Sequence, residues 1–149
     1  MSSGYRWLGM FLIAAALPLA ACRGGAPGKV EKVKPAVIQH IEGSEVSKVT
    51  LTERAMERLD IATAPVREAM VKRAASPRRV VPYAAVLYDA HGETWVYTSP
   101  ETRTFVRHQI GVDYIDGDLA VLSDGPPSGT LVVTVGAAEL FGAEFEIGH

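Results

Sequence analysis

The amino-acid sequence predicts a mainly β domain, a small barrel or sandwich with one short helix. Three observations carry this reading. About six to eight short runs rich in Val, Ile, Thr and aromatic residues are punctuated by turn signals such as Asp116-Gly117 and Asp124-Gly125-Pro126-Pro127, the spacing of small all-β folds. A helical period with a start signal occurs once, after Thr52. No strands alternate with long helical patterns, so a parallel sheet has no support.

The chain opens with Tyr5, Arg6 and Trp7, followed by an apolar run from Leu8 to Ala21 broken only by Gly9 and Pro18. One positive charge, a short apolar core and small residues before a cut site describe a secretory signal over residues 1–21. The run is shorter than the ~20 residues a membrane-crossing helix needs. Leu19-Ala20-Ala21-Cys22 resembles a bacterial lipobox. That resemblance implies cleavage before Cys22 and a diacylglycerol thioether on its sulfur. Cys22 is the only cysteine, so no intrachain disulfide can form in an exporting compartment that would permit one. Lipidation accounts for the unpaired thiol. Arg23 is not the aspartate that in proteobacterial lipoproteins favours inner-membrane retention.

Residues 22–44 read as a tether, Gly-, Pro- and Lys-rich as far as Lys34, with a short strand predicted inside 35–43. Residues 45–149 are assigned to a single domain. Its first strand, Glu45 to Leu51, alternates with a slip of one position between Val46 and Val49. Thr52 suits an N-cap and Glu53 the first turn. Ala55, Met56 and Leu59 form one narrow apolar face over two turns, and Asp60 ends the helix. Ile61 to Val66 returns to extended chain, Val66 to Arg73 continues as mixed strand, and Ala74 to Arg79 is a break.

Val80 to Tyr97 reads as a hairpin around the loop Asp89-Ala90-His91-Gly92. Pro82, with no amide donor, is expected at the first position of its strand. In the return strand Thr94, Val96 and Thr98 share one face, with Trp95 and Tyr97 on the other. Arg103 to Val112 is the next strand, with Phe105, Arg107, Gln109 and Gly111 on one face. A turn at Asp116-Gly117 precedes Leu119 to Leu122, and Leu131 to Val135 is a strand. One helical turn over 137–141 and a loose tail to His149 close the chain.

The balance of 15 basic against 17 acidic residues leaves no electrostatic footprint for nucleic acid. No Gly-x-Ser-x-Gly is present, and lipidation would occupy the one thiol, so no catalytic residues are assigned. His40, His91, His108 and His149 show no spacing that sets two on one helix or strand face, so no metal ligands are assigned. Asp113, Asp116 and Asp118 lack the ligand pattern of a calcium loop. No phosphate-cradling glycine loop occurs, and no cofactor is expected.

Arg79 to Tyr88, with Val-Val-Pro-Tyr-Ala-Ala-Val inside it, resembles the start of the membrane-proximal domain of periplasmic adaptor proteins. These are the membrane fusion subunits of efflux pumps serving resistance-nodulation-division transporters. The likeness continues in order through Gly92 to Thr98, Phe105-Val106-Arg107, Ile110 to Asp118, Asp124 to Thr130 and Val132 to Ala137. Val49 to Leu51, the short helix and Ile61 to Val66 resemble the family's N-terminal segment. In all it covers about residues 46–73 and 79–142. Between such segments a full adaptor carries a lipoyl domain, a helical hairpin and a β-barrel; here only Ala74 to Arg78 stands there.

The resemblance implies a membrane-proximal-type β-barrel or β-roll in a non-catalytic, lipid-anchored envelope protein. Its expected partners are a transporter of resistance-nodulation-division or ABC type, a full-length adaptor and the membrane. Trp95, Tyr97 and Phe105 are candidate anchors for a partner, with a core role as the other reading. The alternative function is a small-ligand or metal-binding envelope lipoprotein drawing on the histidines.

Overall fold

The structure is a computed structural model that describes residues 34–145. The predicted signal, Cys22 and the tail beyond Phe145 lie outside the described residues. The fold is mainly β, a curled half-barrel sheet with two helices. Its strands are β1 (Ala36–His40), β2 (Ser47–Leu51), β3 (Ala62–Pro65), β4 (Arg67–Ala69), β5 (Arg78–Pro82), β6 (Leu87–Tyr88), β7 (Thr94–Glu101), β8 (Thr104–Asp116), β9 (Leu119–Asp124) and β10 (Leu131–Val135). The helices are α1 (Glu53–Leu59) and α2 (Ala137–Glu144).

The sheet runs β3-β10-β7-β8-β9-β5-β4, with β1 and β2 attached beside β8 and β6 beside β7. Its terminal strands, β3 and β4, are one stretch of chain interrupted only at Val66. The sheet therefore curls until both ends lie on the same segment. Val66 is 1% exposed and is itself tied down: its N–H donates to Thr130 O and its carbonyl accepts from Gly129 N, both at 2.8 Å.

β8 makes the curl possible. Its first half pairs with β7 and β2, and its second half with β9, with register irregularities after Gly111 and Val112. Bulges of this kind bend a strand and increase its twist. At Gly111 a Cβ would collide with Ser123 Oγ and approach Asp124 N to 3.3 Å, so the bend needs glycine.

Curling creates two buried faces. Inside the curl pack Val66, Val81, Val96, Ile110, Leu122 and Val132. On the other face α1 and α2 cover Val49, Tyr97, Phe105 and Val133. The alternation of β7 and β10 follows from this. Val96 and Val132 face the curl, while Tyr97 and Val133 face the helices.

Most local expectations hold. Thr52 caps α1 by accepting from Ala55 N at 3.2 Å, and Asp60 ends it in the left-handed conformation. The slip at Val46 is explained by β2 starting only at Ser47, with Ser47, Val49 and Leu51 buried. Four points differ. β1 belongs to the sheet, so folded structure begins inside the stretch drawn as tether. Pro82 closes β5 instead of opening a strand; the next donor, Tyr83 N, reaches Asp118 O at 2.7 Å. The strand predicted to end at Val112 continues to Asp116, because β9 supplies a partner for it. The turn predicted at 137–141 is a two-turn helix reaching Glu144, the second helix of the fold.

Candidate functional site

The most distinctive chemistry among the described residues is a buried ion pair under the C-terminal helix. Arg107 is on β8, cross-strand from Tyr97 of β7, and both side chains point toward α2. The last turn of α2 delivers Glu144 to them, on the same apolar face as Ala137 and Leu140. Arg107 Nε lies 3.2 Å from Glu144 Oε2, with the two side chains 5% and 2% exposed. Tyr97 Oη donates to Oε2 at 2.5 Å, Ser47 N donates to Oε1 at 3.0 Å, and Arg107 Nη2 reaches Oε1 at 3.5 Å. One carboxylate thus ties β2, β7 and β8 to α2.

The guanidinium is also enclosed by rings. Its central carbon lies 4.1 Å from the Trp95 centroid, 5.0 Å from Phe145 and 5.8 Å from Phe141. Cation–π contacts of this kind strengthen when water is excluded. Burial, then the hydrogen bond to the Glu144 carboxylate and that carboxylate's charge, push the Tyr97 hydroxyl well above its ordinary pKa of 10.0, with Arg107 opposing. Tyr97 is therefore a neutral donor at physiological pH.

Trp95 is oriented from the hairpin. Its indole N–H donates to Asp89 Oδ2 at 3.0 Å, while Asp89 Oδ1 accepts from His91 N and Glu93 N at 2.8 and 2.9 Å. Desolvation works to raise the Asp89 carboxyl, but the N–H groups of Glu93, Trp95 and His91 and the charge of the His91 ring outweigh it, and the net shift is downward. Asp89, Trp95, Arg107 and Glu144 form one connected network from loop tip to helix end.

This arrangement clamps α2 to the sheet. Among the described residues no buried side-chain nitrogen or oxygen lacks a partner, so each polar group of the network is satisfied internally. The residues singled out in the sequence are distributed elsewhere. Leu19, Ala20, Ala21 and Cys22 lie outside the described residues. His91 sits at the hairpin tip and His108 in mid-β8; His40 Nδ1 pairs with Ser47 Oγ at 2.8 Å. Among the described residues no three His, Cys, Asp or Glu side chains gather as a metal site.

Asp113 and Asp116 hold the β4–β5 connection, through Arg78 at 3.0 Å and through Lys72 N at 2.8 Å. Tyr97 and Phe105 are 0% and 1% exposed. They are core residues and not partner anchors, because the helices cover the face they occupy. Trp95 is half-buried under Arg107.

Glu144 and Asp89 are the residues that sequence reasoning missed. The signal for Glu144 was a lone acid continuing the Ala137 and Leu140 face. The signal for Asp89 was an Asx-type turn residue just before a loop.

Fold and site together define a helix-capped β half-barrel with a buried ion pair under its C-terminal helix. Comparison with known proteins adds no relative: no family model, no curated protein and no solved structure matches the chain. No helix among the described residues is long and apolar enough to cross a membrane.

Proposed function

We propose that this chain is a lipid-anchored, non-catalytic adaptor-like module that docks on an envelope transporter and completes or modulates it. One observation carries the reading. The adaptor resemblance requires a domain assembled from two chain segments that in the family flank long insertions. Here the two segments, about 46–73 and 79–142, interleave in one sheet: β2 pairs with β8, β3 with β10 and β4 with β5. The short connection between β4 and β5 stands where the family carries its insertions, and Met70 at its start is 65% exposed. A domain built this way keeps its core when the insertion is reduced to a loop, because pairing between the segments does not depend on what joins them. Satisfied polar groups throughout the buried network agree with a scaffold role. Cys22 supplies the anchor, and the transporter's periplasmic face is the docking partner.

The test is affinity purification of the tagged full chain from cross-linked bacterial membranes, with a full-length adaptor as the positive control. A polytopic transporter should co-purify. Failure to recover one where the control succeeds overturns the docking role. A Cys22→Ala variant should lose membrane association, and one that stays membrane-bound with its signal cleaved overturns the anchor.

A further inference from the structure

Among the described residues β1, β3, β4 and β6 each pair on one side only, and β1, at five residues, is the longest of the four. β1 pairs only with β2, through five consecutive positions from Ala36↔Leu51 to His40↔Ser47 and no bulge. Which backbone groups face outward follows from a single bond, Thr52 N to Pro35 O at 3.0 Å. In antiparallel alternation that bond directs the N–H and C=O of Val37 and Gln39 toward β2 and those of Ala36, Ile38 and His40 outward. Pro35 has the same parity as Val37, so its missing donor does not interrupt the outer row. Natural sheets blunt such edges with lysines, internal prolines, bulges or very short strands. β1 has no charge, proline or bulge between Ala36 and His40, and its Val37 side chain is 52% exposed.

We propose that β1 is a self-association strand, pairing antiparallel with β1 of a second copy about a two-fold axis at Ile38. Two features select this partner and this register. An axis at Ile38 sets the outward groups of Ala36, Ile38 and His40 against those of His40, Ile38 and Ala36, giving about six backbone hydrogen bonds with no outward group left over. The same axis places Lys34 of one copy beside Glu42 of the other, twice by symmetry, and both residues are exposed. An axis at Val37 would set Lys34 against His40, and one at Gln39 would set Ala36 against Glu42. Charge complementarity is met only at Ile38. Across the other face of the joined sheet Val37 lies opposite Gln39, covering part of the exposed valine.

Five residues make a small interface beside the usual specific ones. Pairing is therefore weak in dilute solution and responds strongly to local concentration. A common membrane anchor would raise that concentration, and this contribution alone rests on the lipoprotein reading. The pairing itself does not.

The full chain, purified in detergent as a mixture of light and isotopically heavy copies, is treated with a zero-length carbodiimide. The expected product is a dimer carrying a mixed-isotope link between Lys34 and Glu42. Within one chain these residues lie about 20 Å or more apart along an extended strand, so the link can only join two copies. Sedimentation of the untreated protein should show dimerisation weakened about five-fold by Lys34→Glu or by Glu42→Lys, from two rim pairs turned repulsive. The double exchange should restore it. Ile38→Pro, which removes an outward N–H and leaves the β1–β2 bonds in place, should abolish dimerisation. If that variant misfolds, the charge exchanges decide alone. A monomer at high protein concentration overturns the proposal, as does a dimer indifferent to the charge exchanges. So does a Lys34 link to another segment of its own chain or to a different polypeptide. Co-purification of a transporter tests a separate surface, so either conclusion can fail without the other.

Discussion

Replacing Glu144 with alanine tests whether the ion pair under α2 holds the fold. The substitution removes the carboxylate paired with Arg107, whose side chain is 5% exposed, and takes the acceptor from Tyr97 Oη and Ser47 N. Breaking a buried pair by deleting one partner typically costs about 3–5 kcal/mol, because an uncompensated charge stays behind. Adding separate penalties for Tyr97 and Ser47 would count the same desolvation twice. Against a total stability of about 5–15 kcal/mol for a small domain, this loss leaves Glu144→Ala marginal. Guanidinium denaturation followed by far-ultraviolet circular dichroism measures it without interference from the second tryptophan, Trp7. The pair itself contributes little beyond what neutral packing would give. Arg107→Met with Glu144→Gln should therefore recover at least half the loss, since glutamine keeps an acceptor for Tyr97 or Ser47. A Glu144→Ala loss below about 1 kcal/mol would refute the reasoning. A double variant no more stable than the single one would refute it as well.

Three further outcomes follow from the same geometry. The folded state raises the Tyr97 pKa above its unfolded value of 10.0. The resulting stability is fully present below pH 10 and falls as pH rises beyond it; alkaline denaturation should show this slope, and Tyr97→Phe should flatten it. Gly136→Ala should destabilise by about 2 kcal/mol or more, because Gly136 has φ +88° and a Cβ there would collide with Ile61 Cδ1; thermal melting measures the drop. Asp89→Ala should speed amide hydrogen exchange at His91 and Glu93, the two N–H groups its Oδ1 accepts, with exchange in β9 unchanged.

Much of the fold was legible locally. The Thr52 cap, the Asp60 stop, the turn at Asp116-Gly117 and the alternation of β7 are short-range chemistry, and each acts within a few residues. The two-sided burial of β7 was less accessible. Alternation separates Trp95 and Tyr97 from Val96, but a period of two cannot say whether the second face meets water or a helix. The length of α2 was missed for a related reason. Ala137 to Glu144 has weak amphipathic patterning and no side-chain cap at Gly136, so its last turn depends on Glu144 finding Arg107, 37 positions away.

By itself, the sequence determined the strands, turns and helix start of a mainly β chain, because these arise from steric preference, capping and apolar period within a few residues. It also placed the aromatic and basic residues on their strand faces. Only the tertiary structure decided that β3 and β4 close the two ends of one curled sheet, that Tyr97 and Phe105 are core, and that β1 pairs on one side only among the described residues. Those outcomes depend on which distant strands meet. Hydrogen bonds between backbones carry almost no residue identity, so the partners were chosen by how the whole set of apolar faces could be buried together.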